Sequence, residues 1–365
     1  MTAALREVCG FTVEVAATDA DGADGAFTAR DLPSDAGTVH LFKRERGETF
    51  KYSRMLGQWL AEHARDYDII QAHGQWNYPT ASACRAARRS GVPYILRPCG
   101  MFSDYSWRKS WLKKRVYWWL TEQVNVRRAA GFHVTSRAEL EEVLQLGVTA
   151  PVEVIPLGIG NEAWSAPIDR DWLRRQCPQA GGRPIVLFLS RLHPKKGVTD
   201  FLLPAFTKLR ADAFLVIAGG EDGQTPGYAA QIERDIDRLQ LRQRVKLLGA
   251  IPPTDRWRVL DGAALFILPS LTENFGIVVP EAMSRGLPVI VTSGVQFAEH
   301  VVASGAGTVV PPDAGMLALA LDAWLVDPAG RISAGEKGKQ YVQQTFSWQL
   351  TAERLGGLYR RVLHQ

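Results

Sequence analysis

Cysteine is scarce. Cys9, Cys84, Cys99 and Cys177 are the only four in 365 residues, and no two form a CxxC pair. Neither a metal cluster nor a disulfide framework is expected, and four free thiols fit a reducing compartment. No apolar run approaches the 18 residues of a spanning helix. The start, MTAALREVCG, has no basic stretch leading into an apolar one, so no signal peptide is expected. There is no GxxxxGK[ST] phosphate loop, no repeat and no low-complexity tract. Charge bias is small: a net charge of +5 gives no reason to expect a nucleic-acid partner, and is compatible with anionic small ligands or an anionic membrane surface. What the chain has is ordinary core material, 46% apolar, and an unusual eleven tryptophans.

The length suggests two domains. The first half alternates strand and helix: strands over 12–17, 39–42, 68–73, 94–96, 131–135 and 152–156, with helices over 3–8, 52–64, 80–89 and 136–146. Ser136-Arg-Ala-Glu139 reads as a capping box. This alternation indicates a parallel sheet. Such a domain normally begins with a strand, whereas this one begins in a helix, so its first strand and following loop are expected to be missing. Residues 19–37, rich in Asp, Gly and Ala, read as a mobile loop. Periodicity lapses over 158–182, where the linker is placed. Strands follow over 184–189, 214–218, 245–248, 264–268 and 308–310, with another at 289–291. Helices are read to about 209 and over 229–239, 255–260 and 316–326, with a terminal helix over 346–363. The expected domains are 1–160 and 161–345, with the helical tail 346–365 packing back on the first.

Two stretches concentrate the chemistry. Residues 269–292, PSLTENFGIVVPEAMSRGLPVIVT, read as a loop, a helix start and the next strand, with Glu273 and Glu281 spaced E-x7-E. Pro280 suits the first turn, where its missing N–H does no harm, and Glu281 falls near the positive end of the helix. Residues 190–197, SRLHPKKG, follow a buried strand and open a helix. Backbone N–H groups together with Arg191 and Lys196 oppose a diphosphate there. A third segment, 107–128, holds Trp107, Trp111, Trp118 and Trp119 among seven Lys and Arg residues, with Glu122 its only acid. It fits either an anionic membrane surface or a core helix with its cations turned to water.

Taken together, SRLHPKKG at 190–197, IAGGEDG at 217–223, VKLLGAI at 245–251, the 269–292 stretch and FSW at 346–348 resemble the family 4 retaining glycosyltransferases. HGQWNYP at 73–79, RPCGMF at 97–102 and VTSRAEL at 134–140 resemble the same family more loosely, in its polysaccharide- and lipopolysaccharide-assembly branch. The resemblance implies an α/β fold of the GT-B type, two facing Rossmann-like domains, and transfer of a sugar from a UDP- or GDP-sugar to a saccharide or polyprenyl-linked acceptor. It implies that Arg191 and Lys196 bind the diphosphate and stabilise its departing charge. Glu281 would take the ribose hydroxyls and Glu273 the transferred sugar. Asn274, Phe275 and Gly276 would help hold that sugar, and Gly220 and Ile251 would border the nucleotide. No metal and no cofactor are implied, since two cations and helix N–H groups can replace a divalent ion. The DxD-like Asp19-Ala20-Asp21 is discounted because it lies far from these motifs. The implied location is cytoplasmic and peripheral on the inner face of the plasma membrane.

The chain departs from the family pattern in three places. The first strand and glycine-rich loop are not found. Cys99 stands where relatives carry a histidine, leaving His73 as the nearest alternative catalytic group. Pro156-Leu157-Gly158-Ile159-Gly160 replaces the usual Pro-Asn-Gly-Ile-Asp before the linker. Two other readings therefore stay open: a nucleotide-sugar-binding remnant without activity and, ranked last, a nucleotide-sugar epimerase.

Overall fold

The computed structural model describes residues 1–21, 25, 26, 28 and 37–364, so most of the stretch read as a mobile loop lies outside the described residues. The chain divides into two compact units, Met1–Gly158 with Trp348–Gln365, and Ile159–Ser347.

The first unit contains strands β1 (Glu14–Thr18), β2 (Thr38–Phe42), β3 (Ile70–His73), β4 (Tyr94–Arg97), β5 (Gly131–Val134) and β6 (Val152–Val154). They form two parallel sheets, β1-β2 and β3-β4-β5-β6. Helix starts are fixed locally. Asn77 caps Tyr78–Ser90 by accepting from Thr80 N at 2.9 Å, and Ser53 caps Arg54–His63. On one side Leu56, Leu60, Ala86, Leu96, Phe132 and Val134 form the core. On the other, helices Thr2–Cys9 and Trp348–Leu363 cover Ile95 and Ile155 with Leu5, Leu355, Leu358 and Val362. Ala16 and Ile70 border the first core while Val13 and Ile69 border the second, so the strand regions containing β1 and β3 serve the same two layers. Among the described residues, however, β1 pairs only with β2 and β3 only with β4.

The second unit is one six-stranded parallel sheet of β7 (Ile185–Leu189), β8 (Phe214–Ala218), β9 (Val245–Gly249), β10 (Leu265–Leu268), β11 (Val289–Thr292) and β12 (Gly307–Val310), in the order β9-β8-β7-β10-β11-β12. The chain winds outward from β7, returns to β10 and winds the other way, which leaves a crevice at the carboxyl ends of β7 and β10. The apolar runs of β8, β10 and β11 are buried throughout.

The terminal helix begins at Trp348, two residues later than expected. Phe346 instead enters the second unit's core, with its ring 5.1 Å from Phe297 and 4.9 Å from His300. Its carbonyl accepts from Ile159 N at 2.7 Å. Helix Pro328–Thr345 was not expected from the sequence. At the Ser136 capping box, Ser136 Oγ accepts from Glu139 N, and the Glu139 carboxylate accepts from Thr135 N at 2.7 Å and Gly100 N at 2.6 Å.

Candidate functional site

Three loops meet at the carboxyl ends of β7, β8 and β10. Residue 192 of the first is stitched to the second, with Leu192 N donating to Gly220 O at 2.8 Å and Asp222 N to Leu192 O at 3.3 Å. Lys195 O accepts from Leu271 N of the third loop at 2.8 Å. The approach is close enough that a Cβ on Gly219, whose φ is +147°, would fall 1.7 Å from Ser190 O. Gly219 N donates to Gly249 O at 2.7 Å, which puts Gly220 beside the Ala250-Ile251 turn. The Glu273 backbone is clamped by 294–296, its N–H donating to Gly294 O at 2.9 Å and its carbonyl accepting from Gln296 N at 3.1 Å. Phe275 is buried edge-on to Phe297, and Gly276 follows in a left-handed turn, with Asn274 half-buried before them.

Each cation meets an acid. Lys196, whose side chain is only 6% exposed, contacts Glu273 Oε2 through Nζ. Arg191 Nη1 lies 2.8 Å from Asp222 Oδ2, with an Arg191 side chain 67% exposed. Glu281 sits in the first turn of helix Val278–Ser284 and contacts Arg256 through Oε1. Its Oε2 is buried with no hydrogen-bond partner. Burial raises the Glu281 carboxyl above its ordinary range, and Arg256 opposes that rise. Burial lowers the Lys195 ammonium. Arg191, Lys196, Gly220, Ile251, Glu273, Asn274, Phe275, Gly276 and Glu281 all belong to this unit, and the structure couples Lys196 directly to Glu273. Asp222 and Arg256 were missed. Asp222 follows the Gly-Gly-Glu at a strand end and was legible there, whereas Arg256 sits on the short helix Arg256–Asp261 with no motif around it.

His73 belongs to the other unit, at the end of β3, and pairs in register with Arg97 of β4. Arg97 Nη1 lies 3.3 Å from His73 Nδ1. A guanidinium can only donate, so Nδ1 accepts and the neutral ring carries its proton on Nε2. Cys99 adopts φ +58° and points its thiol at Arg97 O, 3.5 Å away. Burial pushes that thiol's pKa up, so it is not a thiolate. Asp19 accepts from Arg44 N at 2.7 Å and Asp21 lies in a short pairing with Gly25.

The tryptophan-rich segment is not one helix. It runs as Asp104–Arg108, Trp111–Tyr117, a π-helical turn Trp118–Glu122, and Gln123–Arg127. The reading as a core helix holds for part of it. Trp107 and Trp118 pack inward against Trp76, with ring centroids 4.7 and 6.3 Å away, while Trp111 and Trp119 are exposed. Among the described residues no helix is long and apolar enough to cross a membrane.

Residues 1–158 match the family described as "Glycosyl transferase 4-like domain" and residues 169–341 that described as "Glycosyl transferases group 1". The chain is 29% identical over 324 residues to alpha-maltose-1-phosphate synthase of Mycobacterium tuberculosis, an alignment spanning 83% of this chain and 81% of that one. It is 31% identical over 216 residues to the GDP-mannose-dependent monoacylated alpha-(1-6)-phosphatidylinositol monomannoside mannosyltransferase of Corynebacterium glutamicum, covering 56% of this chain and 54% of that one. Its fold superposes on Anabaena HepE, solved in complex with UDP and glucose, with a TM-score of 0.79 at 22% identity, covering 95% and 99% of the two chains. Two matched families spanning both units, each built on parallel α/β sheet, identify the chain as a member of the family 4, group 1 glycosyltransferases of the GT-B type.

Proposed function

We propose that this glycosyltransferase moves a sugar from a UDP- or GDP-sugar to a hydroxyl of a saccharide or lipid-linked acceptor in cell-surface polysaccharide synthesis, with retention at the anomeric carbon and without a metal. The observation that carries the reading is the pairing of buried Lys196 with half-buried Glu273 beside Arg191 at the carboxyl ends of β7 and β10. A diphosphate entering the crevice competes with Asp222 for Arg191 and with Glu273 for Lys196. Both cations then face the oxygens on which negative charge grows as the sugar leaves. Glu273, released from Lys196, turns to hydroxyls of the transferred sugar. The unpartnered Glu281 Oε2 accepts from the ribose. The amides near Phe275-Gly276 hold the sugar, and Gly220 and Ile251 border the nucleotide. The departing phosphate oxygen takes the acceptor proton on the same face, so neither glutamate serves as a glycosidase-style nucleophile. His73 Nε2–H is the donor offered on the acceptor side.

Support also comes from relatives named for nucleotide-sugar-dependent transfer and from a solved relative holding UDP with glucose. The exposed tryptophans and cations of the first unit support a peripheral contact with the anionic inner face of the plasma membrane. Incubation with UDP- and GDP-sugars, reading nucleotide binding by calorimetry and product anomer by NMR, tests the proposal. Failure of the folded protein to bind any nucleoside diphosphate rejects it. Binding without transfer favours the inactive reading, for which the separate sheets of the first unit speak.

A further inference from the structure

A row of polar side chains crosses one face of the first unit's sheet. Gln71 and His73 of β3 alternate with Ala72, and Arg97 of β4 pairs in register with His73. Ile95 pairs with Gly131 and Leu96 with Phe132, so His133 of β5 is next in line beside Arg97. The helix Trp348–Leu363 brings Tyr359 onto the same face. Apart from Arg97, every member of the row is neutral and partnered. Tyr359 Oη donates to Gln71 Oε1, Gln71 Nε2 donates to His133 Nδ1, and His133 Nε2–H donates to Ile155 O. His73 Nδ1 accepts from Arg97.

Arg97 is the exception. A guanidinium stays charged and only donates, from every one of its nitrogens. Here it is half-buried, Nη1 is spent on the neutral His73 ring at 3.3 Å, and Nε is buried with no hydrogen-bond partner. Among the described residues Arg97 belongs to no ion pair. Glu139 spends its carboxylate on Thr135 N, Thr135 Oγ1 and Gly100 N. A half-buried cation without a carboxylate is costly to keep, and an anion supplied from outside removes that cost. Its place suits a ligand, because the carboxyl ends of parallel strands are where such sheets bind them. His73, exposed and with Nδ1 turned to Arg97, offers Nε2–H at the same edge. The two ends are tied together, since Arg97 O accepts from Gly74 N at 2.9 Å. The donor's diphosphate has its own cations in Arg191 and Lys196 of the second unit, which leaves Arg97 for the acceptor.

We propose that the acceptor of this glycosyltransferase is itself anionic, and that Arg97, with His73 Nε2–H as second donor, holds a carboxylate or phosphate on the sugar that receives the transfer. The inference rests on the sugar-transfer reading and adds the charge of the acceptor and the residue that selects it. It is tested on the full chain with the donor site filled by UDP or GDP. Glucuronate, glucose 1-phosphate and neutral methyl glucoside are titrated in turn while the His73 ring is followed by NMR, its signal identified with His73→Gln. At least one anionic sugar is expected to bind about tenfold or more tighter than methyl glucoside. A response to glucuronate alone assigns a uronic acid, and a response to glucose 1-phosphate alone assigns a phosphorylated sugar. Arg97→Gln should bring the anionic sugars down to the affinity of the neutral one. Arg97→Lys, which keeps the charge and loses the fork, should retain part of the preference. Equal binding of all three sugars, no response of the ring to either anion, or a preference that survives in Arg97→Gln overturns the proposal. Transfer to a neutral acceptor as efficient as to its anionic counterpart overturns it too and leaves the sugar-transfer reading standing. Nucleotide affinity, measured separately, decides that reading whatever the anionic sugars do.

Discussion

Glu273 and Glu281 look alike in the sequence and differ in surroundings. Glu281 is held by Arg256 on one oxygen and leaves the other buried and unpartnered, so a ligand hydroxyl there gains a charge-assisted hydrogen bond. Glu281→Ala should weaken UDP or GDP binding by about 1.5–3 kcal/mol, roughly tenfold to more than a hundredfold, read by titration calorimetry. Glu273 is already occupied by Lys196 and becomes available only when a diphosphate takes that lysine. Glu273→Ala should therefore leave nucleotide affinity within a few fold and lower transfer, and equal loss of nucleotide binding in both variants rejects this division. The glutamates and both cations were legible because loop, helix start and strand are punctuated by Gly and Pro. Their side-chain partners were less so: a pairing between residues 25 apart, such as Arg256 with Glu281, has no signature in spacing.

At the scale of elements, strand interiors could be read and several helices could not, Ala298–Ser304 and Pro328–Thr345 among them. Pro328–Thr345 carries Gly330, Gly335 and Gly338, which weaken helical propensity. Gly335 is explained only by packing, since a Cβ there would lie 1.9 Å from Gly286 O. The tryptophan segment was ambiguous because its rings divide between core and surface across a π-helical turn that no periodicity reveals. The pairing of helix Arg256–Asp261 with residue 285 was equally invisible. Arg285 grips Asp261 through two contacts of 2.6 and 2.8 Å, both side chains almost fully buried. Asp261→Ala strands a buried guanidinium and should cost about 3–5 kcal/mol in chemical denaturation. Between β3 and β5, Gln71 Nε2 donates to His133 Nδ1 at 3.2 Å and His133 Nε2–H donates to Ile155 O at 2.8 Å. Burial, aided by Arg97, pushes the His133 pKa down to about 3. The unfolded chain binds this proton below about pH 6.5 while the folded chain does not. Stability from this group is therefore present above that pH and is lost as pH falls toward 3, at up to about 1.36 kcal/mol per unit. Between pH 7 and 5, His133→Gln should lose about 2 kcal/mol less than the parent chain.

At the scale of the whole molecule, the second unit was legible almost strand by strand because its inner strands β7, β8, β10 and β11 are buried and read as unbroken apolar runs. The first was harder, since β1 is half-exposed and its sheet stops at β2. The chain's return to the first unit at Trp348 turns on Phe346, whose burial among Phe275, Phe297 and His300 keeps it in the second. This division has a thermodynamic consequence. All the proposed contacts to nucleotide come from residues 191–281, within Ile159–Ser347. A ligand that binds only the folded form stabilises what it touches, by about 2.7 kcal/mol at a hundred times its Kd. Hydrogen exchange with saturating UDP or GDP should then slow in β7, β8 and β10 and leave β4 and β5 unchanged. Glu281→Ala should shrink the effect at equal ligand concentration through weaker binding. Protection that rises first or only in β4 and β5 would place the nucleotide on the wrong unit and overturn the donor assignment of Arg191, Lys196 and Glu281 together.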